Sequence, residues 1–161
     1  MAGTVQWIVI TVSDLYPFLV APQLNALRTV ALATGQSDPF DDLLPIQAGR
    51  VRDYIVSNPR NQLSATANSV PPGTCQWCLC WLMIEALQVR IPSLKLTEDQ
   101  KKEIQNAKTE LEKIRWAASS SQFLIPQPTD PVGDPPQAFG PAAFVVSSSE
   151  RLATRETLNG L

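Results

Sequence analysis

Apolar residues in the first 117 positions recur at helical spacing, and the pattern predicts about five helices. The clearest helix follows Thr97, where apolar positions repeat every three or four residues. These positions are Ile104, Ala107, Leu111, Ile114 and Ala118. Charged residues fill the opposite face, which is typical of an amphipathic helix on a bundle surface. Because Thr97 and Gln100 have the spacing of a capping box, the helix is predicted to begin at Thr97.

A different kind of helix is predicted over residues 75–89, where apolar side chains occupy nearly every face and Glu85 is the only charge. That pattern indicates a central helix covered by the others. Glu85 is then either a buried acid with a raised pKa or the partner of a cation across a helix contact, and we favour the pair. The candidate cations are Arg50, Arg52 and Arg90.

The residue pattern before position 35 predicts a short strand followed by two helices. β-branched and aromatic residues over positions 5–12 favour the strand. Ser13 is the expected N-cap of a short first helix. Pro22 suits the first turn of the second helix, which is predicted to end at Gly35. Its apolar face consists of Leu24, Leu27 and Ala31.

A further helix is predicted to begin after Asp38, with Pro39 in its first turn. Capping by Asp38 and the complement of Asp41 and Asp42 to the helix dipole give these three acids a structural interpretation. Pro45 lies near enough to the start to be tolerated, or it divides the helix in two. Residues 60–73 are rich in Ser, Thr, Asn and Pro and predict an ordered loop, with a short extended piece at 63–66.

Composition changes near Ala118. Residues 1–117 hold 11 Lys and Arg against 11 Asp and Glu, whereas residues 118–161 hold two Arg, four acids and six of the 14 prolines. Six prolines without periodic apolar spacing favour extended backbone. The sequence therefore predicts an all-α body over residues 1–117, a small helical bundle with a short N-terminal strand, and an extended Pro-rich C-terminal arm over residues 118–161.

Apolar residues in the arm have no explanation in core packing. They form three groups separated by proline-rich spacers, and such groups suit a segment that orders along another protein, each filling a pocket. The alternative is a dispensable flexible tail. The predicted partner-binding residues are Phe123, Leu124, Ile125, Phe139, Phe144 and Val145.

The sequence lacks the residue types and motifs on which most enzyme mechanisms depend. The chain has no His, which removes the commonest general base and zinc ligand, and it has no phosphate-binding or nucleophile-elbow motif. We expect no catalytic residues, no cofactor and no metal. Cys75, Cys78 and Cys80 lack a fourth ligand and lie among bulky apolar residues, so we interpret them as buried free thiols; a metal- or thiol-dependent protein is the alternative.

The net charge and the hydropathy of the chain also bear on whether nucleic acid or a membrane could be a partner. A net charge of −2 disfavours free-standing nucleic-acid binding. Trp116 beside Arg115 is interpreted as a packing or interface residue rather than a base-stacking site. The N-terminal apolar run is too short for a membrane span or a signal peptide, and three clustered cysteines fit synthesis in a reducing cytosol.

Four stretches of the body resemble the head-tail connector adaptor proteins of tailed bacteriophages. They are VSDL at residues 12–15, LSATANSVPP at 63–72, WLMIEALQVR at 81–90 and LTEDQKKEIQNAKTELEKI at 96–114. The resemblance implies a small helical body built from a short first helix, a helix ending near an extended loop, a hydrophobic central helix and a charged amphipathic helix. It also implies that this body assembles as a ring, commonly of twelve copies, on the portal.

If the resemblance holds, the partners are the portal protein, neighbouring adaptor subunits and the next connector or tail protein, with weak or transient DNA contact in the channel and no membrane. The location would be the virion head-tail interface, after synthesis in the host bacterial cytoplasm. The alternative function is a soluble helical protein-binding module whose arm captures a cytosolic partner.

Overall fold

The computed structural model describes residues 4–29, 35–90, 95–116 and 125–132, which form a mostly helical structure with one short parallel sheet. The helices are α1 (Ala21–Thr29), α2 (Pro39–Val56), α3 (Thr74–Val89) and α4 (Glu98–Trp116), and a 3₁₀ helix spans Val12–Leu15. The strands are β1 (Thr4–Val5) and β2 (Gln127–Pro128). The mostly helical character predicted from the sequence is confirmed within these ranges, where four α-helices and one 3₁₀ helix are seen; the predicted count of about five helices is not confirmed.

Helix α3 lies at the centre, as its nearly uniform apolar composition predicts, and packs against α2 and α4. Its buried side chains extend around the helix rather than along one stripe, so it has neighbours on several sides. Gly73 precedes it with φ of 89°, a left-handed conformation that favours glycine. The buried α3 residues are Cys75, Cys78, Leu79, Cys80, Trp81, Leu82, Met83, Ile84 and Leu87.

Helix α4 covers one side of α3 with its predicted apolar stripe. Ile104, Ala107, Leu111 and Ile114 are all buried. The predicted capping box at its start is confirmed: the Gln100 backbone N–H donates to Thr97 Oγ1 at 3.2 Å, and the Thr97 N–H donates to Gln100 Oε1 at 2.9 Å. Ala118, the last position of the predicted stripe, lies outside the described residues.

Helix α2 is continuous through Pro45, so of the two alternatives the first holds: the helix tolerates this proline and is not divided. Its start is as predicted: the Asp38 side chain accepts from the Phe40 backbone N–H at 2.9 Å, and Pro39 occupies the first turn. A proline inside a helix removes one backbone hydrogen bond. The helix ends at Val56, where Ser57 forms its C-cap.

The N-terminal prediction is wrong in two details. The strand comprises only Thr4–Val5 rather than residues 5–12, and beyond it Ile8 forms a single antiparallel bridge with Val70. The chain then turns into the 3₁₀ helix, whose N-cap is Thr11 rather than Ser13. The Asp14 carboxylate causes this earlier start, since it accepts from the Thr11 backbone N–H at 2.7 Å.

Residues 125–132 correct the predicted boundary between body and arm. Although the sequence assigns them to the arm, β2 pairs in parallel with β1, with Thr4 opposite Gln127 and Val5 opposite Pro128. Pro131 forms an antiparallel bridge with Ser64, inside the extended piece predicted at 63–66. The folded body therefore includes residues 125–132, and the arm residues beyond 132 lie outside the described ranges.

Candidate functional site

Of the six predicted partner-binding residues, the structure places only Ile125, and it places that residue in the core. Ile125 is 6% exposed and belongs to the same apolar cluster as the helices. Next to it, Trp7 Nε1 donates to the Pro126 carbonyl oxygen at 3.1 Å. Ile125 is thus unavailable to a partner, which corrects its predicted role. The other five lie outside the described residues: Phe123, Leu124, Phe139, Phe144 and Val145.

A polar cluster holds the returning segment in place; we call Asp130, Ser64 and Thr66 the Asp130 cluster. Ser64 Oγ donates to the Asp130 carboxylate at 2.8 Å, and Thr66 Oγ1 donates to it at the same distance. These hydroxyl donors, with the Thr66 backbone N–H, hold the pKa of Asp130 below its usual value. Backbone bonds from Ala65 N–H to the Asp130 carbonyl and from Val132 N–H to the Leu63 carbonyl, both 2.7 Å, flank the cluster.

Arg52 organises the loop that carries Ser64 and Thr66. From α2, its guanidinium donates to the Ser64 carbonyl at 2.8 Å, the Ser69 carbonyl at 2.9 Å and the Thr66 carbonyl at 3.2 Å. It also lies over the Trp7 ring, 5.9 Å from the centroid. Burial lowers the pKa of Arg52, and the Asp130 charge opposes that effect. Sequence patterning missed this role because the contacts join distant parts of the chain.

Glu85 forms the expected ion pair, but with a cation that the sequence did not nominate. Lys108 Nζ donates to Glu85 Oε1 at 2.6 Å, joining α3 to α4. The sequence suggests Arg50, Arg52 or Arg90 as the partner of Glu85, and that choice is wrong. Arg52 instead donates to backbone carbonyls of the loop that carries Ser64. The side chains of Glu85 and Lys108 are 33% and 37% exposed, so the pair lies at the rim of the helix interface.

The three cysteines are buried and unpaired, as interpreted from the sequence. Burial raises the pKa of each thiol to about 12. Cys78 Sγ donates to the Ala107 carbonyl at 3.4 Å, and Cys80 Sγ donates to the Asp14 carbonyl at 3.7 Å. The thiols therefore act as small packed side chains between α3 and its neighbours. In the described ranges, no group of three or more potential ligands could hold a metal ion.

The acids around Asp38 serve the start of α2, as predicted. Asp38 caps the helix and also pairs with the Arg28 guanidinium from α1. That side-chain contact with Arg28 is the main reason why the pKa of Asp38 is lowered. Asp42 accepts from Ser37 Oγ at 2.7 Å. The cluster therefore links α1 to α2 through hydrogen bonds and an ion pair.

Two surface features offer places for a partner. Trp116 at the end of α4 is 72% exposed, with Arg115 over its ring and its Nε1 donating to Glu112 at 2.9 Å. A groove of about 510 Å³ lies between α2, α3 and α4 beside the Glu85–Lys108 pair. None of the helices in the described ranges combines the length and apolar character needed to cross a membrane.

No protein-family model, curated protein or solved structure matches this chain.

Proposed function

We propose that this chain is a non-enzymatic virion structural protein, an adaptor that forms a ring on the portal of a tailed bacteriophage. In that role it links the portal to the next connector or tail protein and surrounds the channel through which DNA passes. The ring consists of twelve copies in total, this chain included. The protein is made in the host bacterial cytoplasm and ends at the head-tail interface of the virion.

The observation that carries the proposal is the order of elements on the resembling stretches. VSDL forms the 3₁₀ helix, LSATANSVPP forms the loop pinned by Arg52, and the next two stretches lie on buried α3 and amphipathic α4. The order is a short first helix, a helix (α2) that ends near an extended loop, a hydrophobic central helix and a charged amphipathic helix. It supports the proposal because the resemblance implies the same succession.

The second support is the contrast between the folded body and the apolar residues that follow it in the sequence. Within the described ranges, the body has its own apolar core, and that core includes Ile125. Phe139, Phe144 and Val145 follow this body in a segment without a single basic residue before Arg151. We assign these three to the portal or to a neighbouring subunit, because intermittent apolar anchors suit pockets on another protein. Near-neutral charge in residues 1–117 suits a conduit that must not retain DNA.

The test is a binding measurement with the portal ring encoded in the same genome. Full-length chain is expected to co-sediment with the portal, whereas a variant ending at Val132 is expected to stay in the supernatant with an unchanged circular dichroism spectrum. A triple variant, Phe139→Ser, Phe144→Ser and Val145→Ser, should behave like the shortened chain. Its matched control places serine at Ala138, Ala142 and Ala143 and should bind normally.

Two outcomes would overturn the assignment. Equal portal binding by the full-length and shortened chains would remove the role of the anchors. Absence of the protein from purified particles, together with capture of a cytosolic protein by the same anchors, would instead favour the soluble binding module.

A further inference from the structure

The groove between α2, α3 and α4 has an apolar floor that the described residues leave open. Leu43 contributes from α2, and Ala86 and Val89 contribute from α3, whereas Leu82 borders the groove but is itself only 2% exposed. Val89 is 70% exposed although it belongs to the most apolar of the described helices. Exposed apolar surface in a concave site favours an apolar ligand, because covering it releases water.

The rim of the groove is positively charged. Arg50, Arg90 and Lys108 line it, with Glu85 as the one acid. Glu85 is already paired with Lys108 at 2.6 Å, and Arg50 donates to the Gln47 side-chain oxygen at 3.1 Å. Within the described ranges, neither arginine has a carboxylate within salt-bridge distance. The rim therefore favours a ligand that brings carboxylates.

One segment of this chain has the complementary composition. Residues 134–150 contain two acids, Asp134 and Glu150, and no Lys or Arg. Its apolar anchors are Phe139, Phe144 and Val145, spaced by small residues and prolines. The segment thus carries two negative charges where the groove has two more cations than acids, and it offers aromatic and branched side chains where the floor is apolar.

The same chain can bring this segment to its own groove. Val132 is hydrogen-bonded to Leu63, and the neighbouring Ser64 is bonded to Arg52 on α2. Arg52 and Gln47, which lines the groove, are five residues apart, or about 7.5 Å along the helix. The twelve residues from Val132 to Phe144 span at most about 40 Å. The tether is therefore long enough, and tethering gives the segment a high local concentration.

We propose that residues 134–150 dock in the groove between α2, α3 and α4 of their own chain, with the anchors on the apolar floor and the acids facing Arg50 and Arg90. This goes beyond the proposed adaptor function. The groove shelters the anchors in the free subunit, and a partner that binds them must compete with it.

The test is photo-cross-linking of the full-length chain with benzoylphenylalanine in place of Phe144, followed by mass spectrometry. The expected cross-links join position 144 to Leu43, Ala86 or Val89. In an equal mixture of ¹⁴N- and ¹⁵N-labelled chains, they should join atoms of one label only. Cross-links to another face would overturn the proposal, and cross-links of mixed label would make a second copy the occupant.

Charge variants test the electrostatic part. Arg50→Glu is expected to reduce the groove cross-links roughly three- to tenfold, because it replaces an attraction by a repulsion at a partly exposed site. Lys102→Glu makes the same charge change on the exposed face of α4 and should leave the yield unchanged. Equal yields from the two variants would contradict the proposal. Portal binding is measured in a separate experiment. A chain that does not bind the portal would therefore count against the adaptor function and not against docking in the groove.

Discussion

Single residues in this protein take their roles from contacts that no local pattern reveals. Ile125 lies in a proline-rich stretch and yet completes the core, and Arg52 supports a loop twelve to seventeen residues away. Glu85 finds its partner on α4 rather than among the arginines suggested by the sequence. An acid such as Glu85 on an otherwise apolar helix is expected to form an ion pair. The identity of its partner depends on which helices pack together.

Ile125 provides a direct test of where the body ends. Ile125→Ala is expected to lower the free energy of unfolding by about 2–4 kcal/mol, because it removes a buried side chain and leaves a cavity. Val132→Ala is the matched control from the same segment; Val132 is exposed, and the change should stay within about 0.5 kcal/mol. Urea unfolding at pH 7 measures both. Equal effects of the two variants would show that the segment does not pack on the body.

The thiols give a second test at this scale. Since burial raises the pKa of Cys75, Cys78 and Cys80 to about 12, the reactive thiolate is scarce at pH 8. We expect a disulfide-exchange reagent to label the native protein slowly and all three thiols to react at once in urea. Rapid labelling of any thiol in the native protein would contradict the buried placement.

At the scale of elements, the helices follow from the sequence because their determinants are local. The apolar stripe of α4, its capping box and the Asp38 cap of α2 were all predicted and are confirmed. The sheet was not predicted in this form, because β1 is two residues long and its partner lies more than 120 residues away. Strand pairing at that separation leaves no periodic trace, and two prolines flank or occupy the partner segment.

The Asp130 cluster joins the returning segment to the loop, and its contribution should depend on pH. The pKa of Asp130 is lowered in the folded protein, so its stabilising effect is present above the unfolded value near 3.8 and is lost as the pH falls through the folded value. Asp130→Asn is therefore expected to destabilise the protein at pH 7 and to matter much less at pH 3.

The matched control for this variant is Asp53→Asn on the exposed side of α2. Urea midpoints at the two pH values provide the comparison. A stability difference between Asp130→Asn and the wild-type protein that is as large at pH 3 as at pH 7 would contradict a role for the ionised carboxylate.

At the scale of the whole molecule, residues 125–132 complete the folded body. A variant ending at Val132 should keep its melting temperature within a few degrees. A variant ending at residue 124 should melt about 10 °C lower or more, because it loses Ile125, β2 and the Asp130 cluster. Similar melting temperatures for the two variants would contradict this boundary.

The proposed adaptor function is tested most directly by an electron-microscopy image of the full-length chain mixed with the portal ring of the same genome. We expect an added ring of density with the portal's twelvefold symmetry, absent when the chain ends at Val132. Portal particles that stay bare with the full-length chain, or that acquire the ring with either chain, would contradict it.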